Sequence, residues 1–287
     1  MEQIHEVASL RVRLAALRRE GERIALVPTM GNLHEGHLAL IDAARTLADR
    51  VVATIFVNPL QFGPGEDYAA YPRTLAADAK ALSARGTDLL FAPPVLAMYP
   101  DGANLATIVS VSGLSRELCG AARPGHFDGV TTVVAKLFSL IGPDIAVFGR
   151  KDLQQLTLIK RMARDLSMPL EIRGVDTIRA PDGLALSSRN SYLSSEERSR
   201  APLLAATLRR VADALTDGSR EFKTLETGAM DALMGARFEP DYVSIRSSTD
   251  LAAPDTEADA QDLVVLGAAR LGKTRLIDNI SPEPELP

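Results

Sequence analysis

At 287 residues, with 46% hydrophobic and 24% charged residues, the chain reaches the length at which one core tends to split into two, and one large and one smaller domain are expected. A formal charge of −5 and a pI near 5.5 argue against a broad basic surface for nucleic acid, although a local cationic pocket stays open, and small-molecule work fits better. A single cysteine, Cys119, excludes an internal disulfide and a Cys-rich metal site and suits a reducing compartment, so the cytoplasm is the expected location.

Met1 to Glu20 reads as an amphipathic helix carrying Arg11, Arg13, Arg18 and Arg19, without the apolar run of a signal peptide. No apolar stretch is long enough for a membrane span. From Arg23 onward, short β-branched runs alternate with helical patterns: Ile24 to Val27, Val51 to Val57, Asp88 to Phe91, Thr107 to Val111 and Asp144 to Phe148. The intervening stretches carry apolar residues at helical spacing, as in Leu38, Ile41, Ala44 and Leu47, or Val130, Val133, Val134, Leu137 and Leu140. This alternation predicts a parallel α/β sheet, whose ligands collect at the carboxyl ends of the strands. Beyond about Asp176 the pattern changes. A Pro181-Asp182-Gly183 turn leads through Ser187 to Asn190 and then to Ser194–Glu197, whose cap chemistry predicts a helix start. Two helical segments and strand-like runs at Tyr242 to Ile245, Leu263 to Ala268 and Arg275 to Ile280 follow. Residues 1–180 are therefore expected to form a parallel α/β domain, and residues 181–287 a smaller α+β domain. The acidic, Pro-rich end from Pro282 to Pro287 is expected to fray.

The most informative segment, Pro28 to His37, follows the first β-branched run and opens the first long helix. A helix N-terminus offers amides and a positive dipole end to an anion, and Gly31 and Gly36 permit close backbone approach, so phosphate binding is expected there. His34 and His37, three apart, could donate to phosphate oxygens or stabilise charge on a leaving pyrophosphate; the other reading is that both simply cap the helix. The His-Glu-Gly-His spacing lacks the i, i+4 pair of the zinc metalloproteases, and no nearby Cys or acidic cluster completes a ligand set.

Asn58 and Gln61 follow the second run, then Arg73. Neutral amides there suit the oxygens of a small polar substrate, and Gln61 is the candidate, with a turn amide as the alternative. Arg123-Pro-Gly-His126-Phe-Asp128-Gly129 could hold an anion or serve as a capped loop. Within Gly149-Arg150-Lys151-Asp152, Lys151 could neutralise phosphate, and Asp152 could orient a ribose or a magnesium ion, although a Lys-Asp pair at a helix start is also common. Ser187-Ser188-Arg189 lies at the expected domain junction, where a mobile clamp or a plain polar linker would sit, with Arg189 facing a departing pyrophosphate in the first case. No strand-turn-helix nucleophile signature is present, which sets hydrolysis aside.

In this order the segments PTMGNLHEGH, FVNPLQFGPGEDYAAYPRT, GAARPGHFDG, FGRKDLQQL, LSSRNSYLS, DYVSIR and LGKTRLIDN closely resemble the pantothenate synthetase (pantoate–β-alanine ligase) family over nearly the whole chain. HEGH alone resembles the wider His-x-Gly-His nucleotidyltransferase superfamily. The resemblance implies a Rossmann-type nucleotide- and pantoate-binding domain over residues 1–180, a C-terminal lid domain over residues 181–287, and a homodimer that uses ATP and Mg2+ to join D-pantoate to β-alanine through a pantoyl adenylate, giving pantothenate, AMP and pyrophosphate, with no nucleic acid or membrane partner. It further implies ATP contacts at Met30, Gly31, Asn32, Leu33, His34, Glu35, Gly36 and His37, with His37 as proton donor, and at Gly149, Arg150, Lys151, Asp152, Ile178, Leu186, Ser187, Ser188 and Arg189. Gln61 is implied for pantoate and β-alanine and Gln155 for pantoate, with Asn58 and Arg123 as weaker carry-overs. Magnesium would come with the ATP phosphates, with Asp152 a candidate ligand. The chain departs from the usual pattern at Asn32, where a small residue is common, at Ile178 for Val and at Leu186 for Met, and Arg150 stands at a varied position. A nucleotidyltransferase that needs no amine, and a nucleotide-binding regulatory module without turnover, are the rival readings.

Overall fold

A computed structural model describes residues 1–282. The chain divides into two compact units, one formed by Met1–Arg150 and Leu158–Asp176, the other by Lys151–Thr157 and the chain from Thr177 onward.

In the first unit, the described residues form a sheet of six strands, β1 (Glu2–Ile4), β2 (Ile24–Thr29), β3 (Arg50–Ile55), β4 (Leu89–Phe91), β5 (Ile145–Gly149) and β6 (Glu171–Val175), in the order β1-β4-β3-β2-β5-β6. Every pairing is parallel. Helices α1 (Val7–Arg19), α2 (Glu35–Leu47), α3 (Leu75–Ala84), α4 (Val95–Met98), α5 (Cys119–Ala122), α6 (His126–Ile141) and α7 (Leu153–Asp165) supply the crossovers and shorter connections, and α7 carries the chain across the division between the units. The central strands are buried on both faces, which is why β2 reads Ile-Ala-Leu-Val rather than alternating with polar residues. Ala25 and Val27 pack with Leu38, Ile41 and Ala44 of α2, while Leu26 points to the opposite face by strand alternation. α1 lies against α6, and Arg18 donates to the carbonyls of Ile141 and Gly142, tying down the end of α6.

The topology positions the ligand crevice. From β2, the sheet runs through β3, β4 and β1 on one side and through β5 and β6 on the other, so the switch point lies between β2 and β5. The segments Met30–His37 and Gly149–Arg150 leave the carboxyl ends of these two strands.

The second unit holds an antiparallel sheet of β7 (Glu239–Ser247), β8 (Leu263–Leu271) and β9 (Thr274–Ile280), with helices α8 (Ser195–Arg200), α9 (Leu203–Thr216) and α10 (Phe222–Gly235). Ser194 caps α8 as expected: its hydroxyl accepts from the Glu197 amide at 3.2 Å, and the Glu197 carboxylate returns the contact at 2.7 Å. Gly267 lets α9 lie close to β8, since a Cβ there would sit 2.9 Å from Leu208. The architecture is the expected parallel α/β unit with a smaller α+β unit.

Two expectations need correction, and one strand carries no signal in the sequence. The N-terminal segment is not one helix: Glu2–Ile4 first joins the sheet edge beside β4, and α1 starts at Val7. Thr107 to Val111 forms no strand, because its polar backbone groups are taken by a helix: the Val109 amide donates to Thr132 Oγ1 (2.9 Å) and its carbonyl accepts from Thr131 Oγ1 (2.5 Å). Strand β6 carries no sequence signal, since Glu-Ile-Arg-Gly-Val at a half-exposed sheet edge lacks an apolar run. Residues 283–287, most of the expected frayed end, lie outside the described residues. No helix among the described residues is long and apolar enough to cross a membrane.

Candidate active site

In the first unit the loop after β2 is held from beneath by a carboxylate that no motif marks. Asp78, on α3 and 4% exposed, accepts from the Asn32 and Leu33 amides and from Thr74 Oγ1, each at 2.9 Å. Thr29 Oγ1 accepts from the Gly31 amide (3.2 Å) and donates to the Thr54 carbonyl (2.8 Å). Gly31 has φ +83°, and a Cβ there would meet Asp78 Oδ2 at 3.0 Å, so glycine is required on both counts. Asn32 follows with φ +51°. Asparagine tolerates this left-handed conformation better than most residues, which accounts for its place where a small residue is usual.

Both readings of the histidine pair meet in α2. His34 is its N-cap: Nδ1 accepts from the Gly36 amide at 3.1 Å, and His37 Nδ1 accepts from the His34 amide at 3.3 Å. The ring centroids stand 4.1 Å apart. Because each Nδ1 is an acceptor, the neutral form of each ring carries its proton on Nε2, which makes Nε2–H the donor of the ring. The amides of Gly31, Asn32, Leu33, His34 and Gly36 have partners within the protein, so the imidazole Nε2–H groups join the helix N-terminus as candidate donors to phosphate.

Asn58 and Gln61 are brought together with Met30. Asn58 caps the short turn Pro59–Gln61 and is 1% exposed. Its Nδ2 donates to Gln61 Oε1 (3.1 Å) and the Gly129 carbonyl (3.0 Å), and its Oδ1 accepts from Tyr99 OH (2.8 Å) and the Leu60 amide (3.4 Å). Through these four hydrogen bonds Asn58 supports the Gln61 side chain and ties its turn to α6 and Tyr99. Gln61 Nε2 lies 3.0 Å from Met30 Sδ. α6 approaches this turn closely at Gly129, where a Cβ would collide with the Leu60 carbonyl.

Arg123 is likewise engaged. Its Nε and Nη2 donate to the two carboxylate oxygens of Glu66 at 2.7 and 2.5 Å, Nη1 lies 2.9 Å from His126 Nε2, and His126 Nδ1 lies 2.8 Å from the Gln61 carbonyl. Burial pushes the Glu66 carboxyl upward, but the Arg123 hydrogen bond and charge outweigh it and hold the group down at about 2. Gly149 and Arg150 close the strand-end set, Arg150 lying 3.4 Å from Asp176.

The second unit gathers the remaining candidates. Lys151 and Asp152 precede α7, with Lys151 Nζ 3.7 Å from Asp152 Oδ2, and Gln155, half-buried, is in the first turn of α7. Ile178 and Leu186 meet across a hairpin, the Leu186 amide donating to the Ile178 carbonyl at 2.9 Å. Ser187 then caps the short helix Ser188–Tyr192, its Oγ accepting from the Arg189 amide at 3.3 Å. Two residues of the LIDN segment anchor both pieces to β9. Asp278, buried, takes a bidentate pair from Arg179 of the hairpin (2.7 and 2.9 Å), while Asn279 Nδ2 donates to the Lys151 carbonyl (3.0 Å).

A parallel sheet with a capped histidine pair at its switch point defines an α/β protein suited to binding a phosphorylated ligand. The sequence pattern of the pantoate-beta-alanine ligase family matches residues 2–281. A pantothenate synthetase from Stutzerimonas stutzeri is 56% identical over 280 residues, 98% of this chain and 97% of that one. The crystal structure of pantothenate synthetase from Thermus thermophilus superposes with a TM-score of 0.91 at 48% identity, covering 99% of this chain and 100% of the other. A Francisella tularensis pantoate-beta-alanine ligase, complexed with beta-gamma ATP and beta-alanine, matches at 31% identity and a TM-score of 0.82 over 99% of this chain and 98% of that one. The chain belongs to the pantoate-beta-alanine ligase family, an enzyme family of ligases.

Proposed function

We propose that the chain condenses D-pantoate with β-alanine at the expense of ATP, through a pantoyl-adenylate intermediate. The carrying observation is the His34–His37 pair, whose Nδ1 atoms are committed to backbone amides and whose Nε2–H groups are thereby set as donors. A pantoate carboxylate oxygen attacks the α-phosphorus, and the bond to pyrophosphate breaks. His37, through Nε2–H, stabilises the charge that grows on the departing group, with His34 beside it. Lys151 and Arg189 neutralise phosphate oxygens, and the nucleotide contacts run through Met30 to His37, Gly149 to Asp152, Ile178 and Leu186 to Arg189.

Gln61 and Gln155 grip pantoate, and Gln61 also lies near β-alanine. The β-alanine nitrogen then attacks the acyl carbon; AMP leaves with the bridging oxygen that came from pantoate, and the amine loses a proton. Positioning and charge stabilisation carry both steps without a protein nucleophile. Magnesium would come with ATP, its phosphates supplying most of the ligands and Asp152, its side chain 47% exposed, a carboxylate, and the ion would offset triphosphate charge. By the family resemblance the enzyme works as a cytoplasmic homodimer.

The test is isotopic. Pantoate labelled with oxygen-18 in its carboxylate should deliver one label to AMP, and pyrophosphate should exchange into ATP with pantoate present and β-alanine absent. Label confined to pantothenate, with no exchange, would contradict the adenylate route.

A further inference from the structure

We propose that Tyr99 is a positioning residue for the acid substrate: by its hydrogen bond to Asn58 it holds the orientation in which Asn58 turns the Gln61 amide nitrogen toward substrate oxygens. This rests on the reading of Gln61 as a pantoate ligand.

The assignment follows from groups whose hydrogen-bonding sense is fixed. The Gly129 carbonyl can only accept, so the Asn58 atom 3.0 Å from it is Nδ2. The Leu60 amide can only donate, so the atom it faces at 3.4 Å is Oδ1. With the Asn58 ends settled, the Tyr99 hydroxyl, 2.8 Å from Oδ1, donates. The second hydrogen on Asn58 Nδ2 goes to Gln61 Oε1 at 3.1 Å. Gln61 therefore has its oxygen turned inward and its nitrogen distal, 3.0 Å from Met30 Sδ. A thioether is a weak acceptor, readily exchanged for a carboxylate or hydroxyl oxygen.

Tyr99 is built to hold this sense. It is 2% exposed, its ring lies 6.1 Å from that of Phe56, and the Lys136 ammonium stands 5.5 Å from its centroid. Burial pushes the phenol up to about 12, so it remains a donor through neutral pH. A Gln61 amide locked nitrogen-outward favours an oxygen-rich acid and disfavours a ligand that presents its own donors.

The test is a double-mutant cycle on the purified enzyme, reading KM for pantoate, KM for ATP and kcat. Tyr99→Phe keeps the ring and removes one buried hydrogen bond, so it should raise the pantoate KM about five- to tenfold and leave the ATP KM and kcat unchanged. In a Gln61→Ala background the same substitution should have no further effect. A merely structural role would move both KM values and persist in that background, which overturns the proposal, as does an unchanged pantoate KM in Tyr99→Phe when Gln61→Ala raises it. An unchanged pantoate KM in Gln61→Ala overturns the reading of Gln61 itself and the relay with it. Asn58→Asp places an acceptor opposite both the Gly129 carbonyl and Gln61 Oε1, and should raise the pantoate KM more than Tyr99→Phe does; a wild-type value would also overturn the proposal.

Discussion

Asp78 illustrates how a residue outside the motifs decides what the motifs can do. Its carboxylate takes two loop amides and a hydroxyl, so Asp78→Ala would leave buried donors unsatisfied at a cost of about 1–3 kcal/mol each. The expected outcome is a lowered thermal midpoint and an ATP KM raised more than the pantoate KM; an unchanged ATP KM would remove Asp78 from the support of the loop. Nothing in the sequence marks it, because an acidic residue in the first turn of a helix is ordinary cap chemistry until the left-handed loop it serves is seen. The histidine pair was visible by spacing, whereas its two roles merge only in three dimensions, with capping nitrogens that select the tautomer. His37→Ala should accordingly slow adenylate formation far more than it weakens pantoate binding, as single-turnover kinetics would report, and Gln155→Ala should chiefly raise the pantoate KM.

Glu66 gives the residue scale a pH signature. Its folded value of about 2 lies below the usual 4.5, so the folded state binds its proton less readily than the unfolded chain. Its contribution is therefore fully present above about pH 4.5 and is lost as pH falls through the folded value near 2. Glu66→Gln should flatten this part of the acid limb in urea titrations between these pH values. An unaltered limb would mean that the Arg123 pair does not differ between folded and unfolded states.

At the scale of elements, β9 organises the nucleotide candidates of the second unit through adjacent side chains, Asp278 to the hairpin and Asn279 to the Lys151 segment. Arg179→Met would strand the buried Asp278 carboxylate, at a cost of about 3–5 kcal/mol. The expected result is a lower unfolding midpoint together with a raised ATP KM, since Ile178, Leu186 and Ser187 ride on the same hairpin. A changed midpoint with a normal ATP KM would separate the anchor from the nucleotide contacts. The central strands were legible because parallel pairing buries both faces and writes unbroken apolar runs. β1 and β6 were not, since a three-residue edge strand and a charged, Gly-containing one carry no such pattern. Thr107 to Val111 has the composition of a strand, but Thr131 and Thr132 of α6 take the hydrogen bonds a sheet would need, a competition that spacing along the chain does not reveal.

For the whole molecule, the strand-end rule was the strongest guide available from sequence. It puts Met30–His37 and the segment that begins at Gly149 just after strands, and the strand order sets those two strands side by side at the switch point. Supports such as Asp78, Tyr99 and the Arg179–Asp278 pair escaped because each joins positions far apart in sequence. The central claim is that this architecture couples ATP cleavage to amide formation. The most direct measurement follows AMP, pyrophosphate and product mass from purified protein given magnesium-ATP and D-pantoate, with and without β-alanine. The account predicts equal amounts of AMP, pyrophosphate and pantothenate, with sustained turnover only when both substrates are present. Well-folded protein that releases no AMP under any of these conditions would contradict it and bring forward a nucleotide-binding module without turnover.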